Sequence, residues 1–146
     1  MASKYIIGDI HNKIKELDDN SIDLIYTNPP FNTTGKDYDK PLRWNELFIE
    51  MDRVLKKNGV ILLHTAIPFT YDIIRNRKPN YNYVWIKNNP TNFFHAKRQP
   101  LRQVEEILVF YKEKHTYNPQ MIGNELMNNK RNNEYTGDLY YGNQKP

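Results

Sequence analysis

Ile22-Asp23-Leu24-Ile25-Tyr26-Thr27-Asn28-Pro29-Pro30-Phe31 is the stretch on which the fold of this chain turns. Its first part is rich in β-branched, aliphatic and aromatic residues and reads as a largely buried strand. Two prolines follow at once. Neither carries a backbone N–H, so a central strand cannot continue through them, and the chain must turn after Thr27. In open α/β sheets, ligands bind outside the carboxyl ends of the strands, which makes this turn the candidate site. The prolines restrict the backbone and fix the direction of nearby carbonyls. Asn28 adds a side-chain carbonyl oxygen, Pro29 a backbone one, and Phe31 a flat apolar face.

Working outward, Tyr5-Ile6-Ile7 is a short β-like run, and Asp9 stands where a helix N-cap would stand. Ile10, Ile14 and Leu17 follow it at helical spacing. Beyond Phe31 the chain is polar and turn-rich to about residue 40, a surface loop. The spacing of Leu47, Phe48, Met51, Val54 and Leu55 predicts a helix over residues 42–57. Its other face, with Glu46, Glu50, Asp52, Arg53 and Lys56, is expected in water, and Asn58-Gly59 is the expected C-terminal stop. A strand follows at 60–64, a shorter helix at 67–75, and strands at 81–86 and 104–111. Strands alternating with helices predict an α/β fold with a mostly parallel sheet and helices on both faces. One domain is expected over residues 1–111, containing an irregular loop at 88–103. Residues 112–146 form an Asn-rich, loop-like segment around Met127-Asn128-Asn129-Lys130-Arg131-Asn132-Asn133.

Bulk properties narrow the classes of function. At 146 residues the chain has room for one domain with a modest core. The absence of cysteine excludes disulfide frameworks, thiolate metal sites and cysteine nucleophiles. The four histidines are scattered without helical ligand spacing, so no metal site is expected. No apolar run approaches the roughly 20 residues of a membrane span, and the first residues lack the pattern of a signal peptide; a cytoplasmic protein with no membrane partner is the default. The formal charge of +4 and pI of about 9.1 allow a nucleic-acid partner without showing one. They gain meaning in Asn92-Phe93-Phe94-His95-Ala96-Lys97-Arg98-Gln99-Pro100-Leu101-Arg102, where cations and aromatics cluster. Lys97, Arg98 and Arg102 are candidate phosphate contacts; the alternative is an ordinary solvated basic loop.

The chemistry that suits the Asn-Pro-Pro-Phe turn is attack by an exocyclic amine. The amino nitrogen of adenine or cytosine is a poor nucleophile because its lone pair is delocalised into the ring. Two acceptors gripping its N–H bonds favour a pyramidal nitrogen and aim the lone pair outward. The base must first leave the duplex stack, and an aromatic ring can hold it once flipped. The alternative is a structural turn in which Phe31 plugs the core.

Thr27-Asn28-Pro29-Pro30-Phe31 resembles the catalytic motif of the DNA amino-methyltransferases, Asp/Asn/Ser-Pro-Pro followed by an aromatic. The lead-in, Gly8-Asp9 and then Asn20-Ser21-Ile22-Asp23-Leu24-Ile25, is similar to theirs, as is Arg53-Val54-Leu55-Lys56-Lys57-Asn58-Gly59-Val60. So are Trp85-Ile86-Lys87, Thr91-Asn92-Phe93, Ala96-Lys97, Pro100-Leu101-Arg102 and Ile107-Leu108-Val109-Phe110. The likeness covers roughly residues 5–120.

The resemblance implies a Rossmann-like methyltransferase sheet, S-adenosylmethionine as methyl donor and DNA as substrate. It assigns the catalytic motif to Asn28, Pro29, Pro30 and Phe31, with Asn28 and Pro29 orienting the amine and Phe31 stacking on the base. It places Asp9 and Asn28 beside the cofactor, while a helix N-cap is the other reading of Asp9. It also offers target recognition as a role for 112–146. The order of motifs matches the circularly permuted branch, in which a Gly-rich cofactor loop follows later in the chain. Gly123, Gly137 and Gly142 are isolated and no Phe-x-Gly-x-Gly element occurs. The sheet is therefore expected to be incomplete, with a second polypeptide or a homodimer completing the cofactor site. Val104 precedes Glu105 where relatives commonly carry His. Two rivals stay open: the same turn acting on RNA or a protein glutamine, and a non-catalytic DNA-binding fragment or partner subunit.

Overall fold

Backbone pairing of the quoted strand with the chain beyond residue 54 organises the rest of the molecule. The computed structural model describes residues 3–120; the Asn-rich run and the rest of the expected C-terminal segment past residue 120 lie outside the described residues. One sheet holds β1 (Ile22–Thr27), β2 (Leu55–Thr65), β3 (Tyr81–Thr91) and β4 (Arg102–Phe110), in the order β1-β2-β4-β3. The helices are α1 (Ile10–Lys13), α2 (Trp44–Val54) and α3 (Phe69–Asn76), with 3-10 turns at Ile14–Glu16 and Phe93–His95.

The α/β class holds, but the strand directions differ from the expected mostly parallel sheet. β1 runs parallel to β2, with Ile25 opposite Ile61 and Thr27 opposite Leu63. β4 lies antiparallel to both β2 and β3. The reason is the connection: residues 92–101 return the chain directly from β3 to β4 without the helical crossover that parallel neighbours require.

The apolar stripe of α2 falls where its spacing placed it, with Leu47, Phe48, Met51 and Val54 buried. Together with Ile14, Phe69 and Ile73 it packs on Ile61, Leu63, Leu108 and Phe110 as one core. Alternation along a strand puts those sheet residues on a single face. On the opposite face Leu24, Tyr26, Tyr83 and Trp85 are exposed. Among the described residues, then, helices cover one face and not two. Among the same residues strand β1, expected to be largely buried, is an edge strand with one open face.

Three local differences have plain causes. Helix α2 stops at Val54 because Leu55 takes extended backbone and is fully buried as the first residue of β2. Asn58-Gly59 therefore lies inside β2 and not at a helix stop. Gly59 is required there by close approach, since a Cβ would come within 2.8 Å of the Leu55 side chain and 3.0 Å of the Asp23 carbonyl. Arg53, expected in water, instead donates to the carbonyls of Leu17 at 2.8 Å and Ile14 at 3.0 Å, tying α2 to the segment that leads into β1. Tyr5-Ile6-Ile7 pairs with no strand among the described residues, and Tyr5 and Ile7 are exposed. No described helix is long and apolar enough to cross a membrane.

Leu47 is 1% exposed, so Leu47→Ala removes contacts the surrounding core cannot replace. The expected loss of stability is about 2–5 kcal/mol, read as a lower urea midpoint at unchanged slope; a loss within about 0.5 kcal/mol, the range of surface changes, would contradict this packing.

Candidate active site

Strand directions bring the candidate residues to one edge of the sheet. The carboxyl ends of β1 and β2, the end of β3 and the start of β4 all lie there. Asn28, Pro29, Pro30 and Phe31 line a cavity of about 470 Å³, joined by Thr33, Thr34, Tyr38, Asp39 and Glu105. Asn28 is exposed and Pro29 is buried. The Phe31 ring stacks on Phe69 of α3, with centroids 4.8 Å apart and planes 18° from parallel. Phe31 thus packs on the core and borders the cavity at once; one of its faces is already taken.

The loop after the turn is held by a carboxylate that sequence reading passed over. Asp39 is buried. Its Oδ1 accepts from the Asn32 amide at 2.7 Å. Its Oδ2 accepts from the amides of Thr33 at 2.7 Å and Thr34 at 2.6 Å, and from the Thr34 hydroxyl at 2.7 Å. Asn32 sits at φ 55°, left-handed backbone that Asn tolerates better than most residues. The Thr34 hydroxyl and the three amides hold the Asp39 carboxyl below its ordinary value of 3.8, burial acting in the opposite sense.

Across Pro29 and Pro30 lies a second cavity, about 580 Å³, bordered also by Gly8, Thr27 and the apolar side chains of Ile14 and Leu42. Asp9 itself caps α1: its Oδ1 accepts from the His11 amide at 2.7 Å, and its carbonyl accepts from the Asn12 and Lys13 amides. Oδ2 of Asp9 accepts no hydrogen bond among the described residues.

The basic loop ends up on the same sheet edge as Asn28, and its members separate. Lys97 and Arg98 are exposed, beside the exposed rings of Phe93 and Phe94. Arg102 is partly buried and donates to the Ile67 carbonyl at 3.1 Å, which gives it a structural bond. Trp44 is buried in the core, whereas Trp85 is half-exposed with its ring edge-on to His64. Thr33, Thr34, Tyr38 and Asp39 are cavity residues that the sequence reading did not single out, and Glu105 entered it only as the neighbour of Val104. Loop closure and strand register bring them in.

A mixed α/β sheet carrying an Asn-Pro-Pro-Phe turn at a strand's carboxyl end defines the class: the fold of N-type methyltransferases with their motif at the binding edge. The DNA methylase family, of the N6/N4 methyltransferase type, matches residues 22–145, and the chain belongs to this family. It is 33% identical over 137 residues to the type II methyltransferase M.HpaI of Haemophilus parainfluenzae, covering 84% of this chain and 43% of that protein. Among solved structures, M1.HpyAVI aligns with TM-score 0.55 at 22% identity, over 82% of this chain and 62% of that one. The PvuII DNA methyltransferase, cytosine-N4-specific, aligns with TM-score 0.51 at 18% identity, over 75% and 49%. These structural likenesses establish the fold. The chain spans less than half of M.HpaI and less than two thirds of the solved chains.

A carboxyl whose folded pKa is depressed contributes stability that is complete above its unfolded value and lost as pH falls through its folded one. Asp39 is expected to hold its loop fully above pH 3.8 and to release it as pH falls further, through its lowered folded value. Amide resonances of Asn32, Thr33 and Thr34 should move together in that acid range, and Asp39→Asn should abolish the transition. Resonances that stay in place to pH 2 in the wild type would contradict the loop's dependence on this carboxylate.

Proposed function

We propose that this chain carries the amine-binding part of a DNA methyltransferase, which transfers a methyl group from S-adenosylmethionine to the exocyclic amine of adenine or cytosine. The observation that carries the reading is the set of acceptors supplied by Asn28 and Pro29 at a strand end, beside a cavity bounded by Phe31. The Asn28 amide oxygen and the Pro29 carbonyl accept the two N–H bonds of a flipped base. That grip localises the lone pair on nitrogen and points it across the proline pair. Pro30 fixes the turn, and Phe31 together with Tyr38 offers apolar surface to the base.

The donor fits this arrangement on its adenosine side. The cavity across Pro29 and Pro30 is largely apolar, and the uncommitted Oδ2 of Asp9 is an acceptor for a hydroxyl. S-adenosylmethionine, when bound, supplies an electrophilic methyl on sulfur. Pro29 and Pro30 line both cavities, and Asn28 lines the amine cavity beside them. Since the chain spans 43% of M.HpaI, further polypeptide supplies the methionine end of the site, whether continuous with this chain, a partner or a second copy. Residues 1–111 form the catalytic domain, and 112–146 contribute to target recognition. Lys97 and Arg98 contact DNA phosphates, with Arg102 securing the base of their loop. A cytoplasmic location accords with that substrate.

Calorimetry of the 146-residue chain with S-adenosylmethionine, followed by transfer of labelled methyl to DNA, tests the reading. Asn28→Ala is expected to lower methyl transfer about 100-fold, the scale of losing one preorganised hydrogen-bonding group, while donor binding changes far less. Absence of donor binding at millimolar concentration would overturn the placing of the donor's adenosine side on this chain. The double variant Lys97→Ala/Arg98→Ala should reduce the slope of log affinity for DNA against log salt by about 2; an unchanged slope would remove these cations from the interface.

A further inference from the structure

The geometry points to Glu105 as a further acceptor in the amine cavity, one that selects bases bearing an amino group over those bearing a carbonyl at the same position. The inference rests on the amine-site reading above and extends it to a residue on a different strand. Two carboxylates line the cavity. Asp39 is fully engaged by three amides and a hydroxyl. Glu105 is not. Its side chain is only 14% exposed, and Oε1 accepts from the Lys87 ammonium at 2.8 Å. Oε2 accepts no hydrogen bond among the described residues; His64 Nδ1 lies 3.7 Å from it, beyond hydrogen-bond reach. A largely buried carboxylate oxygen without a donor is unfavourable, and an amino N–H entering the cavity, shared with the Asn28 oxygen in a three-centre bond, provides one.

The surroundings fix this carboxylate in place. Lys87 of β3 is 11% exposed and also donates to Thr91 Oγ1 at 2.9 Å, so the ammonium cannot swing away freely. His64 of β2 stands behind, 2% exposed, with Nε2 2.5 Å from the Tyr26 hydroxyl and the ring edge-on to Trp85. Nδ1 of His64, on the Glu105 side, is buried without a partner among the described residues. Lys87 thus orients Glu105 while its other oxygen remains available.

The electrostatics then discriminate. The six-position of adenine and the four-position of cytosine present N–H donors, whereas hypoxanthine, guanine, thymine and uracil present an oxygen there. A carboxylate attracts the first set and repels the second. Sites built to hydrogen-bond a polar group reject analogues lacking it far more strongly than apolar pockets reject an extra methylene.

The test uses the full chain and two nucleotides differing only at that position, deoxyadenosine and deoxyinosine monophosphate, titrated by NMR. Wild type is expected to favour the amino nucleotide about tenfold, the equivalent of about 1.4 kcal/mol. Glu105→Ala should remove most of that preference by weakening the amino nucleotide alone. Glu105→Gln, which keeps an acceptor oxygen and the side-chain volume, should retain part of it and guards against misfolding of the alanine variant. Equal weakening of both nucleotides by both variants would make Glu105 a structural residue and overturn the inference. A preference abolished by Asn28→Ala but untouched at Glu105 would overturn it while leaving the amine site standing. No preference in wild type or any variant would remove the amine site itself, and this inference with it.

Discussion

Two consecutive prolines withdraw two backbone donors from the chain just as β1 finishes pairing with β2, and the site is arranged around that withdrawal. Up to Thr27 the chain is committed to the ladder, opposite Leu63. At Pro29 no N–H is available to extend it, so the backbone leaves the sheet at the edge where β2 and β3 end and β4 begins. Asn28 stays at the surface while Pro29 is buried. The acceptors of the turn are therefore presented on a backbone whose freedom is already low, the condition that the proposed amine binding requires.

A turn of this kind needs support on both sides, and the two supports differ in kind. On the core side, Phe31 stacks on Phe69 and joins the cluster that includes Leu47, Phe48, Ile61 and Phe110. On the solvent side, Asp39 gathers the amides of Asn32, Thr33 and Thr34 onto one carboxylate. The first support is non-directional burial, and the second is a set of charge-assisted hydrogen bonds that fixes the path of an otherwise polar loop. Between them the cavity keeps its shape without any part of the loop entering regular secondary structure.

Placing helices on one face of the sheet has a consequence for the other. Leu24, Tyr26 and Trp85 lie on that opposite face, where the buried His64 carries the polar chain from Tyr26 towards Glu105 and Lys87. Polar groups in such a setting are worth keeping only if they are satisfied or used. Lys87 and one oxygen of Glu105 satisfy each other; among the described residues the remaining oxygen and His64 Nδ1 have no partner.

The strand, its proline stop, the amphipathic stripe of α2 and the cap at Asp9 were all legible in the sequence, because each is set by neighbours close along the chain. Alternation, helical spacing and the missing proline N–H are local facts. The reversal of β4 was not legible, since apolar runs look alike in parallel and antiparallel pairing. Nor was the open face of β1, which depends on which side the connecting helices take. The convergence of Asp39 and Glu105 on the Asn28 turn was likewise hidden: they lie 11 and 77 residues further on, and only loop closure and strand register bring them in. The sequence determined the chemistry of the turn; the tertiary structure alone decided which carboxylates share its cavity, because side chains distant along the chain meet only where packing brings their backbones together.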